Sequence, residues 1–248
     1  MTASGHRVAV LAVDPSSGAT GGSILGDKTR MPELTRDMSA FIRPSPSRGH
    51  LGGVTRTTNE AIVLCEAAGY DIVLVETVGV GQSEYLVRDM VDMFCLLLPP
   101  AGGDELQGIK RGIVEQSDLI VVTKYDGDLI PAARRVAYEY MSALKYLRPT
   151  SKNWRSKVQL CSAVSGEGVP EVWSTMQKFK TVMEESGELE SRRRDQHLRW
   201  MWGYVEERLI RLARYDLSIF SKLCDKAHKK TQFDLSGKLE SVMIMLED

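Results

Sequence analysis

Five short aliphatic and β-branched runs, Val8 to Val13, Ile72 to Val75, Met93 to Leu98, Leu119 to Val122 and Val158 to Cys161, constrain the fold of this chain more than any other feature. Each is nearly continuous in apolar character. Strands covered on both faces look like this, and that requires a parallel sheet sandwiched between helices. Segments of helical composition lie between the runs, at Thr57 to Ala68, Pro131 to Leu147 and Pro170 to Glu185. The alternation predicts an α/β fold with a doubly wound, mostly parallel sheet.

From Glu188 onward strands vanish, and Leu198, Met201, Trp202, Val205, Leu209 and Leu212 recur at three- and four-residue steps. That spacing predicts an amphipathic helix. We therefore expect an α/β domain over 1–186 and a helical extension over 187–248. The basic run Ser191 to Arg194 reads as a solvated helix face, and Trp200, Trp202 and Tyr204 read as packing residues.

Composition narrows the partners. The 248 residues carry 32 basic and 33 acidic side chains, a formal charge of -1, which removes the electrostatic footprint of a protein that binds nucleic acid broadly. Cys65, Cys95, Cys161 and Cys224 are widely spaced in apolar runs with no C-x-x-C pair, so they read as buried free thiols of a reducing compartment. No stretch approaches the roughly 18 uninterrupted apolar residues of a membrane span, and the first residues lack a signal-peptide pattern. We expect no membrane partner.

In an open parallel sheet, ligands collect beyond the carboxyl ends of the strands. Asp14 follows the first run and leads into a glycine-rich stretch from Gly18 to Gly26, then Asp27 and Lys28. Glu76 follows the second run, and Gly79, Gly81 and Gln82 come next; glycines there let backbone N–H groups approach an anion. This arrangement resembles the Walker B and switch II region of P-loop GTPases, with Glu76 where Asp is common. A long polar loop, Pro99 to Lys110, follows the third run and reads either as a surface Ω-loop or as a segment that senses nucleotide state.

Thr123-Lys124-Tyr125-Asp126, after the fourth run, is the sharpest signal. In a T-K-x-D loop the Asp carboxylate accepts from guanine N1–H and the exocyclic amine, while the Lys stem lies along the base. Adenine presents the opposite donor pattern and leaves the carboxylate unpaired. Ser162 and Ala163, with Val164 beside them, follow the next strand and match the second guanine contact of such enzymes, made mainly by backbone N–H.

Taken together, the segments from Val13 to Ser17, Gly21 to Met31, Glu76 to Ser83, Pro99 to Lys110 and Thr123 to Asp128 resemble one family, that of MeaB and the methylmalonic aciduria type A protein, also called ArgK. The resemblance covers roughly residues 5 to 215. It implies a P-loop (SIMIBI-type) GTPase that binds GTP/GDP and Mg²⁺ and chaperones methylmalonyl-CoA mutase. Adenosylcobalamin would be handled through that mutase rather than bound tightly.

By residue, the resemblance assigns Asp14, Asp27 and Glu76 to Mg²⁺, and Lys124, Asp126, Ser162, Ala163 and Val164 to the guanine base. Gly79, Gln82 and Lys110 form the catalytic and switch set, with Asp104, Glu105 and Gln107 in the loop that couples nucleotide state to the mutase. It also implies a homodimer formed through the C-terminal helix, working in the mitochondrial matrix in eukaryotes and the cytoplasm in bacteria.

One departure stands out. G-x-x-x-x-G-K-[ST], which holds the β and γ phosphates, occurs nowhere in these residues. We expect the chain to begin within the helix that follows this loop, its sheet to lack the first, central strand, and hydrolysis to be impaired. A non-catalytic scaffold docking on the mutase is the alternative. Nickel insertion is disfavoured, because His6, His50, His197 and His228 lie far apart and the cysteines do not cluster.

Overall fold

The computed structural model describes residues 1–14, 31–46, 51–77, 87–100 and 111–231; side chains are described for all of these except 14, 44–46, 51–56, 111, 213–216 and 218–231. A short 3-10 turn at Thr2–Ser4 leads into β1 (Val8–Asp14), α1 (Pro32–Arg36), β2 (Ala40–Pro46), α2 (Leu51–Ala67) and β3 (Ile72–Thr77). Then follow β4 (Cys95–Leu98), α3 (Arg111–Gln116), β5 (Leu119–Val122), α4 (Ile130–Leu144), β6 (Lys157–Leu160), α5 (Val169–Glu185) and α6 (Glu188–Thr231).

Among the described residues all strand pairings are parallel, in two sheets of three, ordered β2-β1-β3 and β4-β5-β6. Among the described residues β3 pairs only with β1, and β4 only with β5. Apolar runs predict both strands as buried on two faces, yet Leu74 and Leu97 are 38% and 62% exposed. Each is an edge strand among the described residues, with strand pairing on one side.

Burial follows the two-residue period. Ala9 and Leu11 of β1 pack with Ala61 and Cys65 of α2, while Val8 and Val10 pack with Ile42, Ile72 and Leu34 of α1. Ile120 and Val122 of β5 join Leu98 and the inner face of α4, Ala133, Val136, Ala137 and Tyr140. Strand β2 has no counterpart among the predicted runs, because Pro44 and Pro46 break its β pattern. It lies on an edge, where proline costs no ladder hydrogen bond.

The reading of Ser191 to Arg194 as a solvated face needs correction. Asp118, directly before β5, is almost fully buried and receives the Phe94 N–H at 2.8 Å and both Nη groups of Arg192 at 3.0 and 3.1 Å. The Trp154 indole N–H donates to the Asp118 carbonyl at 2.9 Å, and its ring meets Phe179 edge-on. Arg193 pairs with Asp92, before β4, and with Glu66 of α2 at 3.2 Å. The first turns of α6 therefore tie the two three-stranded halves together.

Gln196 completes the attachment by donating to the Val91 carbonyl at 2.9 Å. The chain divides there into two compact units, Met1–Gln196 and His197–Asp248. The division falls beyond residue 186, where the sequence pattern changes, because Arg192, Arg193 and Gln196 of α6 are bonded to the rest of the first unit. In the second unit, Leu198, Met201, Trp202, Val205, Leu209 and Leu212 are each at least 40% exposed.

Cys65, Cys95 and Cys161 are free thiols; the side chain of Cys224 lies outside the described ones. Burial pushes Cys95 up from 9.0 to about 12, with further contributions from Cys161 and Asp118. A thiol held protonated in the fold stabilises it below pH 9, and this contribution is lost as pH rises through that of the folded thiol. Iodoacetamide at pH 8 should therefore leave Cys95 unmodified until denaturant is added, as read by peptide mass spectrometry. Asp118→Ala strands Arg192 without its buried partner and should lower unfolding stability by about 3–5 kcal/mol in urea melts; a loss below 1 kcal/mol would refute the clamp.

Candidate functional site

Strands β5 and β6 end side by side, and their loops are joined by a short set of hydrogen bonds. Val122 and Leu160 are register partners. Beyond them the Thr123 N–H donates to the Leu98 carbonyl at 2.8 Å, and the Tyr125 N–H donates to the Cys161 carbonyl at 3.0 Å. Lys124 between them has φ 55°, the left-handed region, alone among described non-glycine residues. Such a conformation persists only where surrounding bonds impose it, and the anchored amides on either side do so here.

The two loops meet at Ser162. Its hydroxyl, fully buried, donates to the Asp126 carboxylate and accepts from the N–H groups of Val164 and Ser165, both at 3.1 Å. Its own N–H goes to the Glu167 carbonyl at 2.9 Å. Asp126 is thus fixed in rotamer by a neighbouring strand's loop, with lone pairs left over for a ligand. Among the described residues the Ala163 N–H has no hydrogen-bond partner, and the Lys124 ammonium has no ion pair.

An acceptor pair beside an open amide donor matches a planar ring that offers two N–H donors next to a carbonyl. Guanine has that edge; adenine, with a bare ring nitrogen beside its amine, does not. The amides of Ser162 and Val164 are occupied internally, so the open donor in this loop is that of Ala163. The Val164 side chain is 89% exposed.

Glu76 lies at the carboxyl end of β3, in register with Ala12, and Asp14 ends β1 two positions further along the adjacent strand. These two positions therefore share one end of one half-sheet. The Glu76 carboxylate is exposed and has no hydrogen bond or ion pair among the described residues, and a hard oxygen donor of this kind suits Mg²⁺. Asp27, Gly79, Gln82 and Lys110, and with them Asp104, Glu105 and Gln107, lie outside the described residues, as does the Asp14 side chain. Among the described residues no three His, Cys, Asp or Glu gather into a metal-binding group.

Two positions escape the motif reading. Gly168, the residue before α5, has φ +77°, and a Cβ there would stand 2.1 Å from the Leu160 carbonyl oxygen. The backbone of the Ser162 loop closes against the end of β6 through this glycine, which the Gly166-x-Gly168 spacing signals in retrospect. The other is Arg134 of α4, whose Nε and Nη2 donate to the Tyr125 hydroxyl at 3.0 and 2.8 Å. It braces the variable residue of the T-K-x-D loop.

Comparison with known proteins identifies the family. The sequence model of the family described as methylmalonyl Co-A mutase-associated GTPase MeaB matches residues 1–217. The mouse protein "Methylmalonic aciduria type A homolog, mitochondrial" is 66% identical over 210 residues, which is 85% of this chain and 51% of that protein. The homologue of the same name from Caenorhabditis elegans is 54% identical over 237 residues, 96% of this chain and 56% of that one. A crystal structure of an LAO/AO transport system kinase superposes with TM-score 0.72 at 36% identity, covering 100% of this chain and 74% of that chain. The chain spans about half the length of the curated relatives it matches.

The Gly168 contact gives a direct check on the loop. Gly168→Ala combines left-handed strain with a backbone clash and should destabilise the first unit by about 2 kcal/mol or more in a thermal or urea melt. An unchanged melting curve would show that the Ser162 loop does not close as described.

Proposed function

The chain belongs to the MeaB family of methylmalonyl-CoA mutase-associated GTPases, and on that footing we propose that the loops after β5 and β6 hold the guanine ring of GTP or GDP. The observation that carries the proposal is the Ser162 hydroxyl fixing Asp126 beside the open Ala163 amide. Asp126 accepts from guanine N1–H and the exocyclic amine, Ala163 N–H donates to the base oxygen, and the aliphatic stem of Lys124 lies along the ring. Ser162 acts through Asp126 rather than on the base.

Glu76, Asp14 and Asp27 are the carboxylates proposed for Mg²⁺, which when bound neutralises phosphate charge. Gly79 and Gln82 follow Glu76 in sequence; Gly79 is proposed to supply a backbone N–H to the γ-phosphate, with Gln82 in the switch segment beside it and Lys110 in the further switch loop. Hydrolysis of this kind needs positioning and charge neutralisation, with no covalent nucleophile from the protein. The site also needs a phosphate loop on a strand between β3 and β4, each of which has one unpaired edge among the described residues. No G-x-x-x-x-G-K-[ST] run occurs in the 248 residues, so this chain by itself is expected to hold GTP weakly.

The whole-protein role proposed is that of its family: a chaperone of methylmalonyl-CoA mutase that gates adenosylcobalamin loading according to nucleotide state. The mouse and nematode relatives are mitochondrial by name, and a matrix location is part of the proposal. The exposed stripe from Leu198 to Leu212 is the surface proposed for a homodimer.

Ligand-observed NMR tests the base site at the weak affinities expected. Saturation transfer should reach guanine H8 of GDP and leave ADP silent. Asp126→Asn swaps one acceptor for a donor, lowering GDP affinity about a hundredfold, while xanthosine diphosphate, whose ring has oxygen in place of the amine, should gain signal. Equal transfer to GDP and ADP, or an unaltered preference in the variant, would remove the proposal.

A further inference from the structure

Helix α4 has a buried face, Ala133, Val136, Ala137 and Tyr140, and an outer face that ordinary solvation does not explain. Arg134, Tyr138, Met141 and Lys145 follow one another at four-, three- and four-residue steps, so they share one stripe. Winding continues past Leu144, because the amides of Lys145, Tyr146 and Leu147 bond to the carbonyls of Ser142, Ala143 and Leu144 at 3.3, 3.0 and 3.3 Å. Arg148 follows this turn directly in sequence, and Tyr146 lies on the flank of the stripe.

Tyr138 is 70% exposed, Tyr146 85% and Met141 45%. Three large apolar side chains on a single solvent face exceed the scattered singles of an ordinary surface and mark a contact patch. Arg135, Lys145 and Arg148 surround them and form no ion pair among the described residues. From Arg134 to Arg148 four cations stand against one carboxylate, Glu139, in a chain whose formal charge is -1 overall. Tyrosine and methionine anchors rimmed by unpaired cations complement an acidic chain that carries apolar side chains of its own.

We propose that this outer face of α4 is a docking surface for an acidic, partly apolar segment of a partner protein. Arg134, which braces Tyr125, places the surface next to the T-K-x-D loop. The inference stands apart from the nucleotide reading, since none of its anchors belongs to the base site.

A fluorescein-labelled random copolymer of glutamate and tyrosine is the probe, read by anisotropy against the 248-residue chain. It should bind in a salt-sensitive manner, more tightly than polyglutamate, and a lysine–tyrosine copolymer should not bind. Tyr138→Ser with Met141→Ser, and separately Arg135→Glu with Lys145→Glu and Arg148→Glu, should each weaken binding about tenfold or more with the circular dichroism spectrum unchanged. Four results would overturn the proposal: no binding by the parent chain; variants that bind as the parent does; binding only to phosphatidylserine vesicles, which assigns the face to a membrane surface; or loss of self-association in light scattering with the copolymer unbound, which assigns it to a second copy.

Discussion

Strand β5 is withdrawn from solvent along its whole length, with Leu119 to Val122 at most 1% exposed, and the rest of the first unit is arranged to make that possible. A strand buried on both faces must satisfy its ladder through neighbouring strands, here β4 and β6. Its polar flanks must then find partners where it leaves the sheet. At the amino end Asp118 is neutralised by Arg192; at the carboxyl end Asp126 is met by Ser162. One end is sealed by a protein cation, and the other keeps acceptors free for a ligand.

That contrast is what the proposed base site rests on. Arg192 is drawn from the first turns of α6, and Arg193 beside it reaches Asp92 and Glu66, so the closed end doubles as the joint between the two half-sheets. The open end is built from short loops whose backbone is fixed by the Thr123, Tyr125 and Ser162 amides. On the proposed reading, a carboxylate already oriented by Ser162 would lose little freedom on meeting a base, and preorganisation of this sort raises affinity without adding contacts.

The elements most legible in the sequence are those where apolar content and position agree. Leu119 to Val122 is read as a strand with its observed bounds, and α5 is read to within a residue, because neither carries a residue that contradicts its local pattern. Strand β2 is hidden by Pro44 and Pro46, tolerated only because it lies on an edge, a tertiary fact. The Arg192 pair is hidden for a related reason: three consecutive arginines suggest water, and the burial of the first of them depends on Asp118, seventy-four residues away. At the site, T-K-x-D and Ser162-Ala163 are visible as motifs, while the hydroxyl–carboxylate contact between them and the close approach at Gly168 emerge only once β5 and β6 are in register.

The measurement that bears most directly on the account is a ¹⁵N–¹H correlation spectrum of the chain titrated with GDP and, separately, with ADP. GDP should shift the amides of Ala163, Val164, Ser165, Tyr125 and Asp126 most strongly, leave those around Asp118 and Phe94 in place, and have no counterpart with ADP. Equal responses to both nucleotides, or shifts centred on the Asp118 end of β5, would contradict the assignment of the base site.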